Sequence, residues 1–303
     1  MQAVVLTGYG DVEKLEVREV EEPNPGARQI KVKVAGASIN PIDWKIRRGD
    51  LRGMLPLHLP VILGRDISGT VVAVGHDVKE FAVGDRVMGL VEHGYAELVV
   101  APVEAFAKLP PEIELERAAA LPLVGLTGTQ LIEEGAEVKG GQRVLVTGAL
   151  GSVGRVAVFA AKKRGAQVVA GVRARQRQEA RKLEVDEIVA LDDQDEIARM
   201  KPVDAIADTV NGKAVQAVLD KVNPGGIVGT VLGPPLGAKE QGLRVHPILA
   251  HPDPERLAAL GEAVVRGELV LPIDKRYPLS DVQTAQHVAE AGGVGKVLLL
   301  PSH

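Results

Sequence analysis

Cysteine is absent from this 303-residue chain. Its absence excludes disulfides, a thiolate nucleophile, cysteine-ligated zinc and cysteine-held iron–sulfur clusters, so any metal would need His or carboxylate ligands. Long apolar runs are missing as well. No stretch reaches the ~18 uncharged residues a membrane helix needs, and the opening Met1–Val17 has no basic segment followed by an apolar one. A cytoplasmic protein without a membrane partner is expected. Basic charge is not in excess either: 36 Lys and Arg stand against 40 Asp and Glu, a net charge of -4, which does not indicate a nucleic-acid partner. Asn is scarce while Arg, Glu and Pro are plentiful, which leans toward a thermophilic source.

What is present is ordinary globular material, 46% apolar and 25% charged, long enough for about two domains. The first third is β-rich. Short apolar or alternating runs at Ile30–Val34, Thr70–Val74, Arg86–Val91 and Tyr95–Val100 are separated by Gly and Asp, the pattern of a compact barrel or sandwich. From about Leu121, strand-like runs alternate with helical patterns: Arg143–Thr147, Gln167–Val172, Ile188–Leu191, Val203–Asp208 and Gly226–Leu232. Strand followed by helix, repeated, means a parallel sheet. Val153, Val156, Ala157 and Ala160 recur as one buried helix face, as do Leu257, Leu260 and Val264. After Gly267 the chain turns strand-rich again and closes on Gly295-Lys-Val-Leu-Leu-Leu300. The tail is therefore expected to return to the first domain, giving 1–118 with 265–303 as one domain and 119–264 as an inserted nucleotide-binding domain.

The sharpest motif is Val144-Leu-Val-Thr-Gly-Ala-Leu-Gly-Ser-Val-Gly154, a strand running through a Gly-rich turn into an amphipathic helix. It reads as A-x-G-x-x-G rather than G-x-G-x-x-G. Ala149 permits the tight turn, Gly151 lets backbone approach a pyrophosphate, and Gly154 allows the helix to lie close on the strand. Leu150, Ser152 and Val153 complete the candidate cofactor loop, whose N–H groups and helix dipole favour phosphate. The bland alternative is a tight turn with no ligand, but the βα units that follow favour a dinucleotide. A Walker loop is excluded, since no Gly-Lys-Ser or Gly-Lys-Thr follows. The second strand ends near Gly171, where an NAD site usually places an acid for the ribose hydroxyls. None is there. Arg173, Arg175 and Arg177 follow instead, with Arg173 and Arg177 the first candidates to clamp the 2'-phosphate of NADPH; the alternative is a solvated charged helix face.

These residues, together with Gly8-Tyr9-Gly10, Asn40-Pro-Ile-Asp-Trp-Lys45, Leu63-Gly-Arg-Asp-Ile-Ser-Gly-Thr-Val-Val72, Gly84-Asp-Arg-Val87, Gly94-Tyr-Ala-Glu97, Gly125-Leu-Thr127 and Gly295-Lys-Val297, resemble the zinc-free quinone oxidoreductases. Those zeta-crystallin-like proteins belong to the medium-chain dehydrogenase/reductase superfamily. The resemblance covers nearly the whole chain. It implies a GroES-like β-rich catalytic domain, a Rossmann domain with a doubly wound parallel sheet, and a cofactor in the cleft between them. Metal-dependent relatives carry Cys where this chain has Asn40 and Gly-His-Glu where it has Gly64-Arg65-Asp66, so no metal site is expected. The seven His are scattered, with His246 and His251 each before Pro in an expected loop and only His93 beside the segment that resembles the cleft wall.

The resemblance sets Asn40 beside the nicotinamide, as a hydrogen-bond donor to developing negative charge. Asn before Pro is equally an N-cap pattern, and both roles can hold at once. Thr127 resembles the family's cofactor-contacting Thr, while a helix Thr often only bonds its own backbone. Asp43 and Lys45 read as a surface pair, and no acidic proton donor is identifiable. Hydride transfer then rests on placing donor and acceptor ~3 to 3.5 Å apart. The expected protein is an NADPH-dependent, metal-free reductase of quinones or similar conjugated carbonyls, assembled as a homodimer or homotetramer. An enoyl or alkenal reductase is the alternative on the same fold, and a low-turnover NADPH-binding protein the alternative outside enzymology.

Overall fold

The computed structural model describes residues 1–293 and 295–301, so His303 lies outside the described residues. The chain divides into two units, Met1–Leu123 with Pro252–His303, and Val124–His251.

The first unit is built on Gln29–Ile39, where Ile30, Val32 and Val34 are buried while Lys31 and Lys33 lean outward, the two-residue period of a half-buried strand. It pairs antiparallel with Asp66–Val74, which pairs with Arg86–Leu90, which pairs with Phe106–Lys108. Leu98–Pro102 pairs with the beginning of Gln29–Ile39, and Lys296–Leu300 with its end. A smaller sheet joins Leu15–Glu19, Gln2–Leu6 and Val61–Ile62. The tail does return to this domain: Val297 lies opposite Ile39 and Leu298 opposite Ser38. This mainly antiparallel assembly, with Ile273–Pro278 added parallel to Lys296–Leu300, is the expected GroES-like half of the fold.

The second unit carries a six-stranded sheet in the order Glu187–Ala190, Gln167–Val172, Arg143–Thr147, Val203–Asp208, Val222–Thr230, Arg244–Pro247, parallel throughout. In chain order that is 3-2-1-4-5-6, the Rossmann arrangement. Strands buried on both faces read as continuous apolar runs, which is why Arg143–Thr147, Gln167–Val172 and Val203–Asp208 have the boundaries the sequence suggests. The sixth strand, Arg244–Pro247, is the one the sequence hides. It is short, lies at the edge and ends in proline, all tolerated there. His246, expected in a loop, therefore sits in this strand.

The unit boundaries also differ from the sequence expectation. They fall at 123/124 and 251/252 rather than at 118/119 and 264/265. Helix Pro254–Val265 buries Leu257 and Leu260 as its periodicity demands, but against the first unit, with Gly261 beside Met88 and Pro110. Periodicity says that a helix has a buried face, not which core receives it.

Candidate functional site

The Gly-rich turn of the second unit follows the order expected of a dinucleotide cradle. Arg143–Thr147 ends, Gly148 turns with φ +62°, and Gly151 caps helix Ser152–Lys163 in extended conformation. Val156, Ala157 and Ala160 are buried against the sheet. A side-chain carbon on Gly154 would lie 2.1 Å from the Gly148 carbonyl oxygen and 2.8 Å from Ala149 Cα. That position admits no side chain, because both obstacles are backbone. Ala149 is fully buried and its N–H donates to the Gly171 carbonyl, tying the turn to the second strand. Gly151 is exposed, and Leu150, Ser152 and Val153 are half-buried. Helical geometry leaves the N–H groups of Ser152, Val153 and Gly154 without intrahelical acceptors, so these residues fit a bound pyrophosphate.

Beneath this turn lies Asp208, fully buried at the end of the fourth strand in chain order. Its carboxylate accepts from Thr147 Oγ1 at 2.7 Å, from Thr230 Oγ1 at 3.1 Å, and from the N–H groups of Val210 and Asn211. It joins the ends of three neighbouring strands and so sets the floor on which the loops stand. In the sequence Asp208 reads only as a strand end. An acid closing an apolar run was the available signal.

The three arginines do not behave alike. Arg177 forms a close ion pair with Glu196 and also donates to the Ile188 carbonyl. Arg173 and Arg175 are exposed, and among the described residues no ion pair holds either guanidinium. Their turn is ordered by backbone: Ala174 N–H donates to Asp192 Oδ1 at 2.8 Å, and Arg173 N–H to Gln176 Oε1 at 3.1 Å. Thr127 is buried in helix Pro122–Gln130.

The first unit holds a buried polar cluster around Asn40. Helix Pro41–Arg48 starts after Asn40, whose backbone takes the cap position, while its N–H donates to Asp43 Oδ2 at 2.7 Å. The Asn40 side chain does not cap. Its Oδ1 accepts from Lys296 Nζ at 2.6 Å, and its Nδ2 faces Asp66 Oδ1 at 3.1 Å, the Ser38 carbonyl at 3.2 Å and Ser38 Oγ at 3.3 Å. Ser38 Oγ donates to the same Asp66 oxygen at 2.7 Å, and Tyr95 OH donates to Asp43 Oδ2 at 2.7 Å. Asn40, Asp43, Asp66, Tyr95 and Lys296 are each less than 5% exposed. The expected surface pair of Asp43 and Lys45 is thus not found: Asp43 points into the core, and Lys45 is half-buried.

Burial governs the charge states here. It pushes the Asp43 carboxyl up to about 7, against the opposing pull of Tyr95 and the Asn40 N–H. Burial raises Asp66 too, opposed chiefly by Lys296, and raises Tyr95 further, helped by Asp43. Lys296 is lowered by burial, with Asp66 and Asp43 resisting. Two carboxyls share one ammonium, so the cluster is neutral only when one carboxyl keeps its proton.

Could these residues hold a metal? The Asn40 oxygen already meets a cation, and an ammonium 2.6 Å away repels a second one. Asp66 is spent on Ser38, Asn40 and the Leu123 N–H. Among the described residues no group of three or more His, Asp or Glu is arranged for a metal. The histidines lie apart: His246 faces Glu137, His251 faces Glu134, and His93, with φ +63°, contacts the Ile62 carbonyl.

Comparison with known proteins agrees with the two halves of the fold. Residues 26–111 match the alcohol dehydrogenase GroES-like domain, and residues 183–299 match the zinc-binding dehydrogenase domain. The chain is 31% identical to the chloroplast envelope quinone oxidoreductase homolog of Arabidopsis thaliana, over 99% of this chain and 98% of that protein. It is 30% identical to the quinone oxidoreductase of Pseudomonas aeruginosa, over 98% and 99% of the two chains. The structure of the quinone oxidoreductase from Coxiella burnetii matches with TM-score 0.88 at 30% identity, covering 99% of both. The chain belongs to the quinone oxidoreductase family of the medium-chain dehydrogenase/reductases. As a member of that family it is an oxidoreductase that binds a nicotinamide cofactor. One of its domain families is called zinc-binding, yet the positions around Asn40 are taken up by an internal ammonium and hydrogen bonds. No helix among the described residues is long and apolar enough to cross a membrane.

Proposed function

We propose that the protein transfers hydride from NADPH to a quinone or similarly conjugated carbonyl compound, without a metal. The observation that carries this reading is the Lys296–Asn40 hydrogen bond, which puts the cluster's positive charge on a side chain rather than on a bound ion. Without a Lewis acid, an unactivated carbonyl would collect charge on one oxygen with little to stabilise it. A quinone spreads that charge through its own conjugation, so oriented hydrogen bonds suffice. Enones share the property, and the same assay covers them.

When bound, the nicotinamide supplies the hydride. The chain's part is to hold, orient and stabilise. The turn Ala149–Gly154 is proposed to bind the pyrophosphate, through the free N–H groups of the helix start and the bare surface of Gly151. Arg173 is proposed to bind the 2'-phosphate, with Arg175 beside it, because both are exposed while Arg177 is engaged by Glu196. Thr127 is proposed to contact the cofactor. Asn40 is proposed to donate to the oxygen that gains charge. Three acceptors share its two amide hydrogens at 3.1 to 3.3 Å, longer than the usual 2.9–3.0 Å. The proposed role requires one of these two hydrogens to turn from its buried acceptor to the substrate while the other stays.

The test is consumption of NADPH with a panel of quinones, enones and saturated aldehydes, before and after dialysis against a strong chelator. Turnover with quinones or enones that survives dialysis is expected. A rate lost on dialysis and restored only by zinc overturns the metal-free reading, and binding of NADPH without turnover on any acceptor overturns the enzymatic one.

A further inference from the structure

Buried lysines are rare, because an ammonium leaving water costs several kcal/mol unless it is paired. Lys296 is 4% exposed, in a strand that continues Val-Leu-Leu-Leu. Its position follows from strand pairing: Lys296–Leu300 runs antiparallel to Gln29–Ile39, with Val297 opposite Ile39, which brings the preceding Lys296 beside Asn40. There Nζ donates to Asn40 Oδ1 at 2.6 Å, with the Ile39 carbonyl at 3.5 Å. The charged and titratable groups that face it are Asp66 from Asp66–Val74 and Asp43 from Pro41–Arg48, with Tyr95 bonded to Asp43 beyond.

An ammonium can only donate. The Asn40 atom turned toward Lys296 must therefore be the oxygen, and the amide NH2 must face the other way. Without Lys296 the carboxamide could flip, presenting its oxygen where a donor is needed and setting it against Asp66. A short charge-assisted bond on the oxygen also polarises the amide and makes its N–H groups stronger donors.

We propose that Lys296 is a positioning residue for hydride transfer: through its bond to Asn40 Oδ1 it fixes which face of the carboxamide carries the hydrogens, and it is the internal cation that balances Asp66 and Asp43. The role rests on the proposed use of Asn40 as a donor to the substrate oxygen. It adds a requirement, since an Asn at position 40 is not enough unless a donor stands behind it. It also predicts that the ionisation of Asp43 depends on a residue 253 positions later in the chain.

The experiment compares Lys296→Met, Lys296→Arg and the charge-balanced double variant Lys296→Met with Asp66→Asn. Steady-state rates with a quinone and NADPH affinity by fluorescence are measured for each. The Asp43 carboxyl is titrated in the cofactor-free protein by carbon-13 NMR. Lys296→Met is expected to lower kcat by about tenfold to a hundredfold while leaving the NADPH Kd unchanged, and to move the Asp43 titration to higher pH. Lys296→Arg, which keeps charge and donor, is expected to recover most of the rate. The double variant is expected to fold but remain slow, because charge balance alone does not orient the amide. A folded Lys296→Met with wild-type kcat and an unshifted Asp43 titration overturns the proposal. So does a double variant with wild-type rate, and so does failure of both neutral variants to fold, which would make Lys296 a folding residue only. If the wild-type protein reduces no quinone while the titration still moves, the functional reading falls and the electrostatic link stands.

Discussion

Tyr95 OH donates to Asp43 Oδ2 over 2.7 Å between two buried side chains, and the same oxygen accepts the Asn40 N–H. One carboxyl thus ties the segment around Tyr95 to the start of helix Pro41–Arg48.

That carboxyl makes stability depend on pH. Burial raises it from 3.8 to about 7, so the folded chain keeps a proton that the unfolded chain releases from about pH 4 upward. Stability should therefore fall as pH rises from about 4 to 7 and level off above, by an amount of up to about 4 kcal/mol. Exposed carboxylates such as Glu80, held down to about 2 by backbone N–H groups and Arg28, act below that window. Urea unfolding of the wild type and Asp43→Asn at pH 5, 6, 7 and 8 is the check. The wild type should lose stability across the series and the variant should lose much less; parallel curves would contradict the assignment.

The engagement of Arg177 by Glu196 separates the arginines. Arg173→Ala should weaken NADPH binding by the equivalent of ~1.5 to 3 kcal/mol, the scale of a charged hydrogen-bonded contact, and leave NADH nearly untouched. Arg177→Ala should weaken both cofactors alike or neither, while lowering the melting temperature. Calorimetric titration of both cofactors against both variants decides it, and a selective NADPH loss on removing Arg177 would reverse the ranking.

Gly154→Ala places a methyl carbon 2.1 Å from the Gly148 oxygen. Relief requires the helix start to move off the strand, at a cost of about 1 to 3 kcal/mol. The expected result is a clear loss of cofactor affinity with the sheet intact, read by fluorescence titration alongside circular dichroism. Unchanged affinity would mean that the turn is not the cradle.

Much of this molecule is legible in its sequence. The parallel sheet is, because Arg143–Thr147 and Val203–Asp208 are apolar runs bounded by turn residues, and so is the return of the tail. The Asn40 cluster is only half legible. Asn40 stands out through the motif it occupies, but its partners Asp66 and Lys296 lie 26 and 256 positions away, and only strand pairing brings them together. Asp43 reads as a surface charge because it sits among Trp44, Lys45 and Arg47 in a short helix. Nothing local reveals that its face of the helix meets Tyr95. Lys296 offered a usable signal, a lone charge opening an apolar strand, since such charges are rarely buried without a partner.

The central claim, metal-free hydride transfer to a conjugated carbonyl, is tested most directly by one comparison. With NADPH saturating and chelator present, kcat/KM is measured for a quinone, an enone and a saturated aldehyde. The quinone should be the best substrate, the enone should follow, and the saturated aldehyde should trail both by orders of magnitude, because it alone must carry the transferred charge on a single oxygen. A saturated aldehyde that proves the best of the three would contradict the account.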